Sequence, residues 1–207
     1  MQNPLETLYS YWNGVRVGRL APRRLEIDPA TIAPLLADTF MLERVHDDSF
    51  QYRLAGTRVC DTLGGELRGQ GFLQDFHEND RATLTYALRE LSQRGAVVRL
   101  ATLGIADARH TIDIESILLP LAHAGESITR ILGASVPTSR PPWLGHYKIK
   151  KLRLINHEIV WPDGRPYQVM ARAVAQQPFT RSDNVVRIVR NEKRTFRVLQ
   201  GGRSDAD

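Results

Sequence analysis

"YRLAGTRVC", residues 52–60, contains the abrupt change of pattern that decides the fold. Tyr52 and Leu54 alternate with Arg53, as apolar and polar residues do in a half-buried strand. Gly56 interrupts this alternation, and a segment with helical periodicity follows at once. Because no residues remain for a loop, the chain must turn sharply between a strand and a helix. We expect Gly56 to permit a backbone that a side chain would obstruct, and a positive φ would be one reason that a side chain does not fit.

The neighbouring patterns predict a helix, two strands, a helical block and three strands, in that order. An amphipathic helix is indicated near the N-terminus by the helical spacing of Leu5, Leu8, Tyr9 and Trp12. The long helix of the central block is expected to end at Gly95. Strands are expected at residues 39–45, 50–54, 96–103, 110–121 and 127–136. Strands on both sides of a helical block favour one α+β domain with an antiparallel sheet.

The composition is typical of a soluble cytoplasmic protein. Hydrophobic residues make up 42% of the chain and charged residues 25%. No apolar stretch approaches the ~18 residues of a membrane span. The N-terminus has neither the basic start nor the apolar core of a secretory signal. The single cysteine, Cys60, excludes an internal disulfide and fits a reducing compartment. We therefore predict a cytoplasmic location and no membrane partner.

Charge is unevenly distributed along the chain. Residues 1–139 contain 14 arginines, no lysine and 17 acidic residues, a net charge of −3. Residues 140–207 contain 14 basic and 6 acidic residues, a net charge of +8. We predict an N-terminal helical flank over 1–35, a main domain over 36–138 and a basic, partly irregular C-terminal extension over 139–207.

Four stretches resemble a bacterial family of PAS-like single-domain proteins that includes a motility regulator. They are "LAPRRLEIDPATIAPLLADTFMLERV" (20–45), "FQYRLAGTRVCDTLGGELRGQGF" (50–72), "ESILLPL" (115–121) and "RILG" (130–133). The resemblance covers about residues 5–137, and the ending "RTFRVLQGG" is also similar to that family's C-terminus. It implies a PAS-like five-stranded antiparallel sheet with helices on one face, and a regulatory role in motility, development or stress.

The resemblance also implies a cavity between the sheet and the helical block. Arg53 and Arg68 are candidate anchors for an acidic ligand there. The alternative is that Arg53 pairs with Glu43 on the neighbouring strand, and that Arg68 orders its own loop. The residues expected either to line the cavity or simply to fill it as core are Met41, Tyr52, Leu54, Cys60, Phe72, Phe76, Leu84, Leu118 and Leu132.

Two residues bear on cofactors. His77 lies in the region through which haem-carrying PAS domains bind haem, but we expect it to be a helix cap or a surface residue. Cys60 lies in "RVCDTL", which lacks the Asn-Cys-Arg-type motif of flavin-binding relatives, and we expect it to be a small buried residue. We predict neither haem nor flavin, and no metal site, because the six histidines are scattered.

The sequence contains no phosphate-binding loop, no Gly-x-Ser-x-Gly elbow and no Cys-x-x-Cys pair. We predict a non-enzymatic regulator that binds a partner protein, such as a histidine kinase or another signalling protein, with a small ligand as a further option. Two alternatives stay open. One is a small α+β enzyme that uses the cavity. The other is nucleic-acid or nucleotide-messenger binding through Arg181, Arg187, Arg190, Lys193, Arg194 and Arg197.

The N-terminal apolar stripe of Leu5, Leu8, Tyr9 and Trp12 lies outside the predicted domain. An exposed stripe that includes a tryptophan would promote association, so it must be buried. It can pack on its own sheet, or pair with the same helix of a second chain across a two-fold axis. We predict the second arrangement, a homodimer with Leu8 and Trp12 at its centre.

Overall fold

The computed structural model describes residues 3–46, 49–123 and 127–164. The described chain contains the helices α1 (Pro4–Arg16), α2 (Thr57–Leu63) and α3 (Glu78–Arg94), and two 3-10 helices, Arg24–Glu26 and Ala33–Asp38. Its strands are β1 (Thr39–His46), β2 (Ser49–Ala55), β3 (Val97–Ile105), β4 (Thr111–Ala122), β5 (Ile128–Pro137) and β6 (Lys151–Val160).

The six strands form one sheet in the order β2-β1-β5-β4-β3-β6, and every neighbouring pair is antiparallel. The predicted α+β fold with a PAS-like antiparallel sheet is therefore confirmed. The sheet has one strand more than the five predicted. This strand, β6, pairs with β3 from Val97↔Val160 to Ile105↔Lys151. Because β6 comes from the segment predicted as a C-terminal extension, the sheet continues past residue 138.

The sheet has an inner face, which packs against α2 and α3, and an outer face. On the inner side, Leu84, Leu88 and Leu91 of α3 are buried in the main core. Helix α3 is capped by His77, whose ring accepts the backbone N–H of Asn79 at 3.4 Å. It ends at Gly95, which has φ +70, as the sequence predicts.

Helix α1 packs on the outer face of its own sheet. Leu8 and Trp12 are both 0% exposed within the single chain. They belong to a second core cluster with Ile117 and Leu119 of β4. The Trp12 indole N–H donates to the carbonyl oxygen of Pro120 at 2.8 Å. The predicted dimer surface centred on Leu8 and Trp12 is therefore wrong, because the sheet already covers both side chains.

The rest of the stripe and two ion pairs also hold α1 to the sheet. Leu5 is buried in the same cluster, while Tyr9 stays partly exposed and stacks on the ring of Trp12 at 6.1 Å between centroids. Glu6 accepts a hydrogen bond from Arg99 of β3 at 2.6 Å. Arg16, at the other end of α1, pairs with Asp163 just after β6, also at 2.6 Å. These two ion pairs thus tie α1 to β3 and to the residues that follow β6.

The turn at Gly56 is as sharp as the sequence predicts, but its backbone is ordinary. Gly56 caps α2 with φ −70 and ψ 157, so a positive φ is not the reason that glycine is required. Its N–H donates to the carbonyl oxygen of Thr39 at 2.8 Å. A Cβ atom at Gly56 would lie 2.2 Å from the Leu36 carbonyl oxygen and 2.5 Å from that of Ala37. Glycine is needed here because the second 3-10 helix passes too closely for any side chain.

Candidate functional site

The space between the inner face and the helices is filled by aromatic rings. Phe40, Tyr52, Phe72 and Phe76 form a continuous cluster, with neighbouring ring centroids 5.5–6.2 Å apart. Edge-to-face and offset arrangements at such distances are favourable beyond the burial of area. Of the residues predicted to line or fill the inner cavity, Tyr52, Phe72, Phe76, Leu84 and Leu118 are buried in this core, and Cys60 packs at its margin. These six side chains therefore fill the core, which is the second of the two alternatives that the sequence left open.

Two titratable side chains of this region are held in their neutral forms. Burial raises the pKa of the Tyr52 hydroxyl well above its ordinary value, and the charge of Asp75 raises it further. Burial also raises the pKa of the Cys60 thiol, although a backbone hydrogen bond from Leu67 opposes this effect. The Cys60 sulfur lies 3.9 Å from the carbonyl oxygen of Ala55. A thiol with a raised pKa is a poor nucleophile at neutral pH.

A β-bulge in β2 explains why the sequence pattern placed Leu54 on the wrong face of the sheet. The register between β1 and β2 shifts between Met41↔Leu54 and Leu42↔Tyr52, which leaves Arg53 as an extra residue. Leu54 therefore does not share the inner face with Tyr52 and is 54% exposed.

Three of the residues predicted to line the inner cavity lie on the outer face of the sheet. Met41 and Leu132 belong to the outer core cluster, because they alternate with the inward-facing Phe40 and Ile131 along their strands. Leu54 lies with them on the outer face, where all three line a separate pocket. The predicted set of nine residues is thus divided between two faces of the sheet.

The two predicted polar anchors lie outside the inner core. Arg53 is half-exposed and pairs with Glu43 at 3.0 Å, as the structural alternative predicts. Glu43 also lies 3.4 Å from Arg130 of β5. Arg68 is exposed, and it is its backbone N–H that donates to Glu66, at 3.0 Å. Neither guanidinium is directed at the aromatic cluster.

His77 is exposed at the start of α3, and the prediction that it is a cap or surface residue is confirmed. Within residues 3–46, 49–123 and 127–164, no group of three or more His, Cys, Asp or Glu side chains is arranged to hold a metal ion. The six basic residues proposed for nucleic-acid or nucleotide binding, Arg181 to Arg197, lie outside the described residues. None of the described helices is long and apolar enough to cross a membrane.

A buried carboxylate joins the second 3-10 helix to α2. Asp38 is 5% exposed and accepts hydrogen bonds from Nε of Arg58 at 2.6 Å and from its Nη2 at 2.5 Å. Arg140 approaches the same carboxylate at 4.0 Å. Hydrogen bonding to Asp38 raises the pKa of Arg58. This bidentate pair fixes the second 3-10 helix against α2, close to Gly56.

Sequence reasoning missed a pocket on the outer face, which is formed between the segment 24–36 and strands β1, β2 and β5. We call it the outer pocket. Its volume is about 330 Å³. It is lined by Arg24, Ile27, Pro29, Ile32, Leu36, Thr39, Phe40, Met41, Leu54, Ala55, Gly56 and Leu132. A bulge in "YRLAGT" was the signal that could have indicated it, because the bulge moves Leu54 to this face.

A second surface on the outer face is not covered by α1. Ala101, Leu103 and Ile105 alternate with inward-facing residues along β3 and are half-buried. They pair across to Glu115, Asp113 and Thr111 of β4, and to Asn156, Arg153 and Lys151 of β6. These β4 and β6 residues are all exposed. We call this surface the open sheet patch: a short apolar strip between two polar, charged rows.

Comparison with known proteins agrees with this architecture. The sequence model of a PAS domain family matches residues 1–136 of the chain, which include α1, strands β1 to β4 and all of β5 except its last residue, Pro137. The chain belongs to this PAS domain family. The resemblance found in the sequence is therefore confirmed. No curated protein matches the chain.

Two solved structures are similar to part of this chain. One is the LOV protein of Rhodobacter sphaeroides, with 14% identity, a TM-score of 0.39, and coverage of 56% of this chain and 71% of that one. Another is a sensory box histidine kinase/response regulator from Burkholderia thailandensis E264, with 13% identity, a TM-score of 0.37, and coverage of 54% and 85%.

Proposed function

We propose that this protein is a non-enzymatic PAS-type regulatory module that acts by binding a partner protein at the open sheet patch. Membership in the PAS domain family supports the regulatory class. A second signalling protein, such as a histidine kinase, is the kind of partner we expect. The observation that carries the proposal is the half-buried strip of Ala101, Leu103 and Ile105, which neither α1 nor any other described element covers.

The composition of the open sheet patch suits a protein surface better than a small molecule. Its apolar centre is one residue wide, and its rim carries both acidic side chains (Asp113 and Glu115) and basic ones (Lys151 and Arg153). Protein interfaces commonly combine a less charged centre with a polar, solvent-accessible rim. Charges of both signs on opposite sides of the strip favour one orientation of the partner over others.

The inner core supports a role without catalysis. The aromatic cluster occupies the space in which a substrate would have to bind. The raised pKa values of Tyr52 and Cys60 keep both side chains neutral at physiological pH, so neither supplies a base or a thiolate. A regulator that communicates through its surface does not require such groups.

The test compares proteins that copurify with the wild type and with Leu103→Glu. This change places a charge in the middle of the apolar strip. Because Leu103 points out of the sheet, we expect the variant to keep its fold, which circular dichroism checks. Tyr86→Glu is the matched control, since Tyr86 is 53% exposed on α3, on the other side of the sheet. Quantitative mass spectrometry of bound proteins and of extracted small molecules is the readout.

The proposal predicts at least one protein that is enriched with the wild type and with Tyr86→Glu, and reduced about tenfold or more with Leu103→Glu. Equal enrichment with both variants would place the contact elsewhere on the protein. Enrichment of small molecules or nucleic acid alone would favour one of the alternative functions.

A further inference from the structure

We infer that the outer pocket is a binding site for a small amphipathic carboxylate, whose acidic group pairs with Arg24 and whose apolar body contacts Met41, Leu54 and Leu132. This site lies on the face of the sheet opposite the aromatic cluster. It is separate from the open sheet patch, so it adds ligand binding to the proposed partner binding.

The walls of the outer pocket are held in place by buried side chains. Ile27 and Ile32 are buried and fix the segment 24–36 onto the sheet. The floor is formed by Met41 of β1 and Leu132 of β5, which pair directly across the two strands. Because Gly56 has no side chain, the second 3-10 helix lies close beside β2. The pocket is therefore preformed, as small-molecule sites usually are.

The mouth of the outer pocket leaves apolar surface in contact with solvent. Leu54 is 54% exposed and Leu36 is 40% exposed, and both line the pocket. Exposure of these side chains costs free energy that an apolar ligand would recover by covering them. The β-bulge at Arg53 places Leu54 here, and such bulges commonly occur where a strand must redirect a side chain.

Arg24 is the one charged residue among those that line the outer pocket. Among the described residues, no carboxylate forms an ion pair with its guanidinium. The two acidic residues nearest in sequence are already engaged. Glu26 binds Arg19 at 2.8 Å and the backbone N–H of Arg23 at 2.7 Å.

The second of these acidic residues, Asp28, is also satisfied within its own turn. It accepts hydrogen bonds from the backbone N–H of Ala30 at 3.0 Å and from the hydroxyl of Thr31 at 2.9 Å. By contrast, Arg16, Arg53 and Arg58 all have carboxylate partners. Arg24 as a residue is half-buried, and a guanidinium beside an apolar pocket is complementary to an anion with an apolar body.

The size of the outer pocket limits the ligand. A volume of about 330 Å³ lies at the lower end of the range of about 300–1,000 Å³ for small-molecule sites. One cation and otherwise apolar or weakly polar walls select a single negative charge on a small hydrocarbon. A medium-chain fatty acid has this chemistry.

The experiment titrates the whole protein with octanoate and observes the methionine methyl groups by NMR after 13C-methyl labelling. The chain contains three methionines, Met1, Met41 and Met170. The Met41 methyl signal reports on the outer pocket, and the other two signals serve as internal references for shifts unrelated to the pocket. A Met41→Leu variant assigns that signal. 1-Octanol, which has the same chain without the charge, is the paired probe.

Two variants and one control separate charge recognition from simple hydrophobic binding. Arg24→Gln removes the cation, and Leu54→Glu places a competing carboxylate at the mouth, where exposure makes the change tolerable. Arg109→Gln removes an exposed arginine on the connection between β3 and β4 and should leave binding unchanged.

For the wild type, we expect octanoate to cause a saturable shift of the Met41 signal. For Arg24→Gln, the dissociation constant for octanoate should be higher by about tenfold or more. For Leu54→Glu, we expect no saturable shift. Binding of 1-octanol should be weaker than that of octanoate in the wild type and unchanged by Arg24→Gln. A Met41 signal that does not move would overturn the inference. So would equal binding of octanoate and octanol, or an Arg24→Gln variant that binds octanoate like the wild type.

Discussion

The two faces of the sheet differ in how completely they are covered. On the inner face, α2, α3 and the aromatic cluster bury the sheet, and the phenol and thiol found there are neutral. On the outer face, α1 covers only part of the surface. The remainder consists of the open sheet patch on one side and the outer pocket on the other. Among the described residues, the exposed apolar surface of the sheet therefore lies mainly on the outer face.

The difference arises from where the chain places its apolar residues. On the inner face, the rings of Phe40, Tyr52, Phe72 and Phe76 pack against one another. The outer face is built from smaller aliphatic side chains, a 3-10 helix and one amphipathic helix, which do not cover six strands. One face of the sheet is thus buried in the main core, and the other face leaves part of its apolar surface exposed.

The largest predicted effect tests whether α1 is part of the folded core of the outer face. Trp12→Ala should reduce the free energy of unfolding by about 3–5 kcal/mol, because the indole is fully buried and its N–H binds Pro120. Urea unfolding followed by circular dichroism measures this change. Tyr86→Ala, at an exposed position on α3, should change it by less than about 0.5 kcal/mol. A stable Trp12→Ala variant that loses only self-association would restore the dimer interpretation.

The next effect concerns the junction between the two faces at Gly56. Gly56→Ala should reduce the free energy of unfolding by about 2–3 kcal/mol, since its Cβ would overlap the carbonyl groups of Leu36 and Ala37. Gly14→Ala is the matched control. Gly14 lies inside α1 with open space around it, so alanine there should increase stability by about 0.5–1 kcal/mol.

Thermal or urea unfolding of both variants provides the measurement. A loss below about 0.5 kcal/mol for Gly56→Ala would mean that the second 3-10 helix moves away at little cost. In that case the outer pocket, which this helix helps to enclose, would not be preformed.

The sequence predicted most of the elements because their signals are local. A few neighbouring residues are enough to indicate the alternation in β3, the glycine that ends α3 and the sharp turn at Gly56. At Gly56 the pattern predicted that a side chain would be obstructed, but it did not identify the obstacle, which is a backbone segment about twenty residues earlier in the chain. A short pattern shows that glycine is required, but not whether torsion or space requires it.

Features that depend on distant partners were not predictable in the same way. The separation of Leu54 from Tyr52 follows from a register shift between β1 and β2, which alternation within β2 does not reveal. Placement of β6 beside β3 depends on pairing residues about fifty positions apart. Likewise, an amphipathic stripe shows that α1 must be covered, but its covering partner, here its own sheet, lies elsewhere in the chain.

The smallest predicted effect concerns the ion pair that ties α1 to the outer face. The hydrogen bond from Arg99 holds the pKa of Glu6 below its ordinary value of 4.5, although partial burial opposes this effect. A carboxylate whose pKa is lower in the folded state stabilises the protein above its unfolded pKa, and this stabilisation is lost as pH falls through the folded value. Glu6→Gln should therefore be less stable than the wild type at pH 7, and the gap should close below about pH 4.5.

The gap should be only a few tenths of a kcal/mol, because the Glu6 side chain is half-exposed and solvent screens the pair. Urea unfolding at pH 7, 4 and 3 measures it, and added salt should reduce it at pH 7. The other carboxyls with lowered pKa values, Glu26, Asp28 and Asp107, are the same in both proteins and cancel. Glu115→Gln, an exposed change on the same face, should show no such gap. If the gap for Glu6→Gln stayed constant from pH 7 to pH 3, ionisation of Glu6 would contribute nothing to holding α1 on the outer face.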